Sequence, residues 1–133
     1  MNNEIPFVSI VIPVRNVEKI IGRCLKSLQA LDYPKDKYEV IIADSESDDN
    51  TPSIVKKYEV IYISTPKKSV CAGRNEGFKI AKGDIVAFSD ADCVMDKDWL
   101  KNSLKYFKDP EVGAIGGPNL SPADDTPFAK AVS

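Results

Sequence analysis

The sequence contains no histidine. Ser-His-Asp and Cys-His catalysis, and metal sites ligated by imidazole, cannot be assembled from this chain alone. Cysteine is scarce. Cys24, Cys71 and Cys93 are odd in number, far apart and without a CxxC pair, which argues against a zinc or disulfide framework and for a reducing compartment. An excess of charge is missing as well: 18 basic residues against 20 acidic ones leave a net charge of -2. No nucleic-acid partner is expected, because such binding needs a basic footprint. The longest apolar runs are only about strand length, far below the roughly 20 residues that cross a bilayer. Met1 to Pro6 is polar, with neither a basic start nor an apolar core, and is read as carrying no signal peptide. There is no internal repeat and no low-complexity tract.

What is present suits one globular domain over residues 1–133, with 43% hydrophobic and 29% charged residues. Val8 to Ile12 is β-branched and reads as a strand. Val17 to Leu31 has apolar residues at 17, 20, 21, 24, 25, 28 and 31, the spacing of a helix with one buried face, and Pro34 ends it. Tyr38 to Ala43 is a second strand. Asn50 or Thr51 can cap a short helix with Pro52 in its first turn. Val60 to Ile63 is a third strand, and Lys67-Lys68-Ser69 is a solvated loop. Val70 to Ala81 is helical, with Lys82-Gly83-Asp84 as its stop. Ile85 to Phe88 is a continuous apolar run, expected to be a strand buried on both faces. Asp96 to Phe107 is expected as a helix capped by Asp96, and Val112 to Gly116 as a last, weaker strand. Ser121 to Ser133 opens a further segment with no stop signal, so the chain is read as part of a longer protein. Alternation of strands and helices predicts an α/β fold with a mainly parallel, Rossmann-like sheet and helices on both faces.

Ligands of such sheets bind beyond the carboxyl ends of the strands. That edge collects Pro13-Val14-Arg15-Asn16, Asp44 to Asp49, Ser89-Asp90-Ala91-Asp92, and Arg74 near the start of the third crossover helix. Asp90 and Asp92 flank one residue directly after a buried strand. Two ionised carboxylates this close repel at a partly buried edge, and a divalent cation relieves the repulsion. Few, hard oxygen ligands suit Mg2+ or Mn2+ shared with substrate phosphates. Asp is also common in turns after strands, so the pair is weak evidence alone. Asp44 reads equally as a turn residue or as a partner for a base or ribose. Arg74 reads as a salt-bridge partner or as a bidentate diphosphate ligand beside free helix N–H groups. A dinucleotide-binding dehydrogenase is disfavoured because the turn after the first strand has no glycine, a P-loop is absent, and a phosphoacceptor receiver lacks its acidic positions.

The stretches VSIVIPVRN, EVIIADSESDDNT and CAGRNEGFKIAKGDIVAFSDADC, in that order and spacing, resemble glycosyltransferase family 2, with the GT-A fold, from about Phe7 to Pro118. The resemblance implies an inverting, metal-dependent transferase using a nucleotide-diphospho-sugar donor. By position, Pro13, Arg15, Asp44, Arg74 and Asp90 would contact the donor nucleotide. Asp90 and Asp92 would hold Mn2+ or Mg2+. The donor would be a UDP- or GDP-sugar, and the acceptor a sugar, lipid carrier or protein. The sequence departs from the family pattern at Arg15, often aromatic, at Ser45, often a second Asp, and at Glu46, often Gly. These positions bear on base identity and loop shape. The family's catalytic base lies in an acceptor-binding half, expected beyond residue 133; Asp124 and Asp125 come too early and are not assigned to it. A cytoplasmic location is expected, at the membrane's cytoplasmic face if a longer protein is tethered. The alternative reading is a non-catalytic nucleotide-sugar-binding module or a nucleotidyltransferase-like domain.

Overall fold

A computed structural model of the chain describes residues 4–66, 69–118 and 120–121. Residues 1–100 form one compact unit and residues 101–133 a second. The first holds a four-stranded, fully parallel sheet in the order β3-β2-β1-β4, made of β1 (Val8–Val14), β2 (Tyr38–Asp44), β3 (Ile61–Ser64) and β4 (Ile85–Phe88). The crossover helices are α1 (Ile21–Gln29), α2 (Thr51–Val55) and α3 (Val70–Ile80). α1 and α2 pack on each other. The chain then reverses direction across the sheet to reach β4, and the right-handed crossover rule carries α3 to the opposite face, where it packs on β1 and β2.

β1 is buried along its whole length, because it has a strand on each side and a helix over each face. One side of it meets α1, whose Ile21, Cys24, Leu25 and Leu28 form the buried stripe that the 3-4-3 spacing predicts. Helix α1 is shorter than expected, and Ile20, counted with that stripe, is 39% exposed. The other side of β1 meets α3 at very close range. A Cβ on Gly77 would lie 2.3 Å from Val11 Cγ1, and one on Gly73 would lie 3.0 Å from Pro13 Cβ. Two glycines one helical turn apart therefore let α3 approach β1 almost backbone to side chain. At the amino edge, Ser9 Oγ donates to Glu39 and accepts from the N–H groups of Lys82 and Gly83, which ties the turn after α3 to the sheet.

Three expectations need correction. β4 is not buried on both faces. Its residues are half-buried and Phe88 is 46% exposed; among the described residues β4 pairs with β1 alone, and no helix packs against it as α3 does against β1. A continuous apolar run marks a strand that could be covered, and here the cover is not supplied within the sheet. The helix expected over Asp96 to Phe107 is reduced to α4 (Trp99–Leu104) followed by a 3-10 turn, Lys105–Lys108. Val112 to Gly116 forms no strand. Two glycines in five residues weaken the segment, and a strand without a ladder partner gains nothing from extension. Among the described residues no helix is long and apolar enough to cross a membrane. Lys67, Lys68, Asp124 and Asp125 lie outside the described residues.

The close approach of α3 is testable. Gly77→Ala gains about 1 kcal/mol of helix propensity, but the new methyl must displace Val11. Overpacking of this kind costs about 1–3 kcal/mol, so a net loss is expected, read as a lower urea midpoint. Gly113→Ala, with nothing within 4 Å of the added methyl, should leave the midpoint unchanged.

Candidate functional site

β1 connects to β2 on one side, and the chain later returns to place β4 on its other side. The strand order changes sense between β1 and β4, and such a reversal is the topological switch point where open α/β sheets bind ligands. All the candidate residues lie at this carboxyl edge. Pro13, the penultimate residue of β1, lies against Gly73 of α3, Arg15 is exposed, and Asp44 ends β2 in register with Val14. Asp90, Ala91 and Asp92 follow β4, anchored by the Ser89 N–H donating to the Val11 carbonyl at 3.2 Å.

The loops after β1 and β2 are knitted together. The Asn16 N–H donates to Ser47 Oγ, the Asp48 N–H to Asn16 Oδ1, the Val17 N–H to Thr51 Oγ1, and the Glu18 N–H to Asp49 Oδ2. Glu18 in return accepts from the main chain and side chain of Asn50. Two residues hold left-handed backbone here: Asn16 with φ 51° and Glu46 with φ 54°. Asn tolerates that region, whereas Glu does so at a steric cost. Glu46 stands where the family pattern often has Gly, and its positive φ gives the physical reason for that preference. Asp49 is partly desolvated, which raises its pKa, but hydrogen bonds from the Thr51 side chain and from the N–H groups of Thr51 and Glu18 outweigh this and hold it below its ordinary value.

Asp44 is 1% exposed, and its carboxylate is already engaged. Oδ1 accepts from the Ser47 N–H at 2.9 Å and its hydroxyl at 2.7 Å, and Oδ2 accepts from Tyr62 at 2.6 Å. Burial, with the hydrogen bond to Asp44, pushes the Tyr62 phenol up to about 12, so it remains a donor. Tyr62 is a residue that sequence reasoning missed. Nothing in a four-residue strand signals that its phenol reaches a carboxylate on the neighbouring strand.

Asp90 and Asp92 are both exposed, on either side of Ala91, which is 7% exposed. The buried alanine fixes the turn, and both carboxylates are thereby turned outward. Solvent screening weakens their mutual repulsion, so the strain expected from a partly buried pair is small. Asp90 is compensated directly: Arg74 Nη2, one turn into α3, donates to its Oδ1 at 2.7 Å. Arg74 Nε is buried and has no hydrogen-bond partner among the described residues. Behind the turn, Cys24 Sγ lies 3.8 Å from the Asp90 carbonyl, and burial pushes this thiol up to about 12, so it is inert. No group of three or more His, Cys, Asp or Glu able to hold a metal ion exists among the described residues. Two outward carboxylates still fit the limited donor set that Mg2+ or Mn2+ takes from protein when phosphates complete the shell. A recess of about 600 Å3 between α1 and the amino ends of β2 and β3, lined by Leu25, Leu28, Tyr38 and Tyr58 among others, is remote from these residues.

Residues 9–132 match the family model of glycosyl transferase family 2. The chain belongs to glycosyl transferase family 2. It is 35% identical over 124 residues to a dolichyl N-acetyl-alpha-D-glucosaminyl phosphate 3-beta-D-2,3-diacetamido-2,3-dideoxy-beta-D-glucuronosyltransferase of Methanococcus voltae, covering 84% of this chain and 38% of that protein. Among solved structures, it resembles the mannosyltransferase PcManGT of Pyrobaculum calidifontis in complex with GDP-Man and Mn2+ (TM-score 0.78, 31% identity, 84% of this chain and 35% of that one). It also resembles TarS 1-349 of Staphylococcus aureus in complex with UDP-GlcNAc (TM-score 0.68, 30% identity, 85% and 37%). This family 2 chain thus has the GT-A fold and spans less than half the length of each of these three proteins.

Two outcomes follow for the loop pair of this family 2 domain. Glu46→Gly should leave stability unchanged or raise it by up to about 1 kcal/mol, the relief of a left-handed non-glycine residue, as read by thermal unfolding. The depressed pKa of Asp49 contributes stability that is fully present above its ordinary value of 3.8 and is lost as pH falls through the folded value. Asp49→Asn should therefore flatten the acid limb of the stability profile below about pH 4 while losing stability at neutral pH.

Proposed function

We propose that this chain is the donor-binding part of a family 2 transferase that takes a nucleoside-diphosphate sugar with Mn2+ or Mg2+ and passes the sugar to an acceptor with inversion. The observation that carries this reading is the pairing of Arg74 with the outward Asp90-Ala91-Asp92 turn at the switch point of the sheet. Asp92 and Asp90 would hold the cation. Arg74 would contact the diphosphate, and Pro13, Arg15 and Asp44 would bound the base and ribose. The cation, when bound, supplies Lewis-acid neutralisation of charge on the departing diphosphate. Asp44, already accepting three hydrogen bonds from Ser47 and Tyr62, would act as a rigid wall or as an acceptor through its remaining lone pair.

PcManGT with GDP-Man and Mn2+, and TarS with UDP-GlcNAc, support a GDP- or UDP-sugar as donor. The dolichyl phosphate sugar in the name of the Methanococcus relative favours a lipid-linked acceptor. Inversion needs a general base behind the acceptor hydroxyl. No described residue is assigned to it, and the acceptor half of the longer relatives is its expected source. The 133-residue chain alone should therefore bind donor without robust transfer.

Calorimetry tests the reading. UDP or GDP should bind this chain more tightly with Mn2+ than after chelation, by about 5- to 150-fold, the usual range for two coupled ligands. Asp92→Ala should remove the metal effect while leaving the metal-free affinity in place. Equal affinity with and without metal would overturn metal dependence, and no nucleotide binding at all would overturn the donor reading.

A further inference from the structure

The guanidinium of Arg74 is half used. Nε and Nη2 share one edge of the group, the edge that grips two oxygens at once. Nη2 donates to a single oxygen, Asp90 Oδ1, at 2.7 Å, while the adjacent Nε is buried with no partner among the described residues. A buried donor without an acceptor is unfavourable, so Asp90 is an incomplete partner for this edge. A phosphoryl group, with two oxygens about as far apart as the two nitrogens, would satisfy both. Asp90 for its part stands two residues from Asp92, with its side chain 54% exposed, and carries the negative charge that a cation requires.

We infer that Arg74 is an exchange residue. It neutralises Asp90 while the site is empty. It turns its full edge to the diphosphate of the donor once Asp90 is given over to a divalent cation. The inference rests on the donor-binding reading and adds to it a coupling. Arg74 competes with the cation for Asp90, so the cation by itself binds weakly. The diphosphate draws Arg74 away, so cation and nucleotide each help the other to bind. In the empty domain, Arg74 also offsets one of the two neighbouring carboxylate charges. Arg74 is a positioning and binding residue here and takes no part in bond making.

Mn2+ alone, then Mn2+ with UDP or GDP, is titrated by calorimetry into the 133-residue chain and into Arg74→Gln and Arg74→Lys, with circular dichroism to confirm folding. Breaking a half-exposed ion pair is expected to let Mn2+ alone bind Arg74→Gln about 2- to 5-fold more tightly than the parent chain. The nucleotide should bind that variant more weakly, and the mutual enhancement between Mn2+ and nucleotide should shrink. Arg74→Lys retains the charge but not the two-nitrogen edge. It should leave Mn2+ affinity near that of the parent and still weaken the nucleotide, and it serves as the test if Arg74→Gln does not fold. Equal or weaker Mn2+ binding by Arg74→Gln, or undiminished enhancement in either variant, overturns the exchange while the donor reading stands. Failure of the parent chain to bind nucleotide with or without Mn2+ overturns both.

Discussion

Strand β1 has a parallel neighbour on each side and a helix against each face, and the rest of the domain is arranged by that enclosure. A strand so placed can present nothing but its carboxyl end to solvent. Its seven buried residues set the position of Pro13, and through the register Val14 with Asp44 they set where β2 ends. The approach of α3 depends on the same strand. Because Gly73 and Gly77 lie against Pro13 and Val11, the helix sits close enough for Arg74, the next residue, to reach the turn after β4. The packing of two glycines is thus converted into the position of a guanidinium.

The loops at the carboxyl edge divide into a rigid part and an outward part. Loops after β1 and β2 are cross-bonded through Asn16, Glu18, Ser47, Asp49 and Thr51, and the buried Asp44 is clamped by Ser47 and Tyr62. The turn after β4 differs. Ala91 is buried, whereas the side chains of Asp90 and Asp92 stand in solvent, Asp90 paired with Arg74. A base and ribose are recognised by shape and are suited to a fixed wall. Under the proposed donor reading, the exposed aspartates and half-engaged Arg74 would be the groups that change partners when cation and diphosphate bind.

The sites of greatest departure from the family pattern fall in the rigid part. Glu46 occupies a left-handed position, and Ser45 is buried with its hydroxyl 3.3 Å from that of Thr65. Ser45 is also held by its N–H, which donates to the Val14 carbonyl at 3.0 Å. Arg15, exposed just past β1, alters the charge at the mouth of the edge without touching its framework. Arg15, Ser45 and Glu46, which depart from the family pattern, thus all lie in the loops after β1 and β2.

The sequence by itself determined the alternation of strands and helices, the parallel sheet, and the gathering of Pro13, Arg15, Asp44, Arg74, Asp90 and Asp92 at one edge. It could do so because periodicity and strand ends are local properties, written in runs such as VSIVI and in the 3-4-3 spacing of α1. Tertiary structure alone decided what depends on neighbours distant in sequence. Phe88 is exposed because no layer covers its side of the sheet among the described residues, and Val112 to Gly116 stays irregular for want of a ladder. Asp44 is clamped because Tyr62, 18 residues away, lies on the adjacent strand. Arg74 resolves into a partner of Asp90 because α3 crosses the sheet on glycines, a closeness that no single segment encodes.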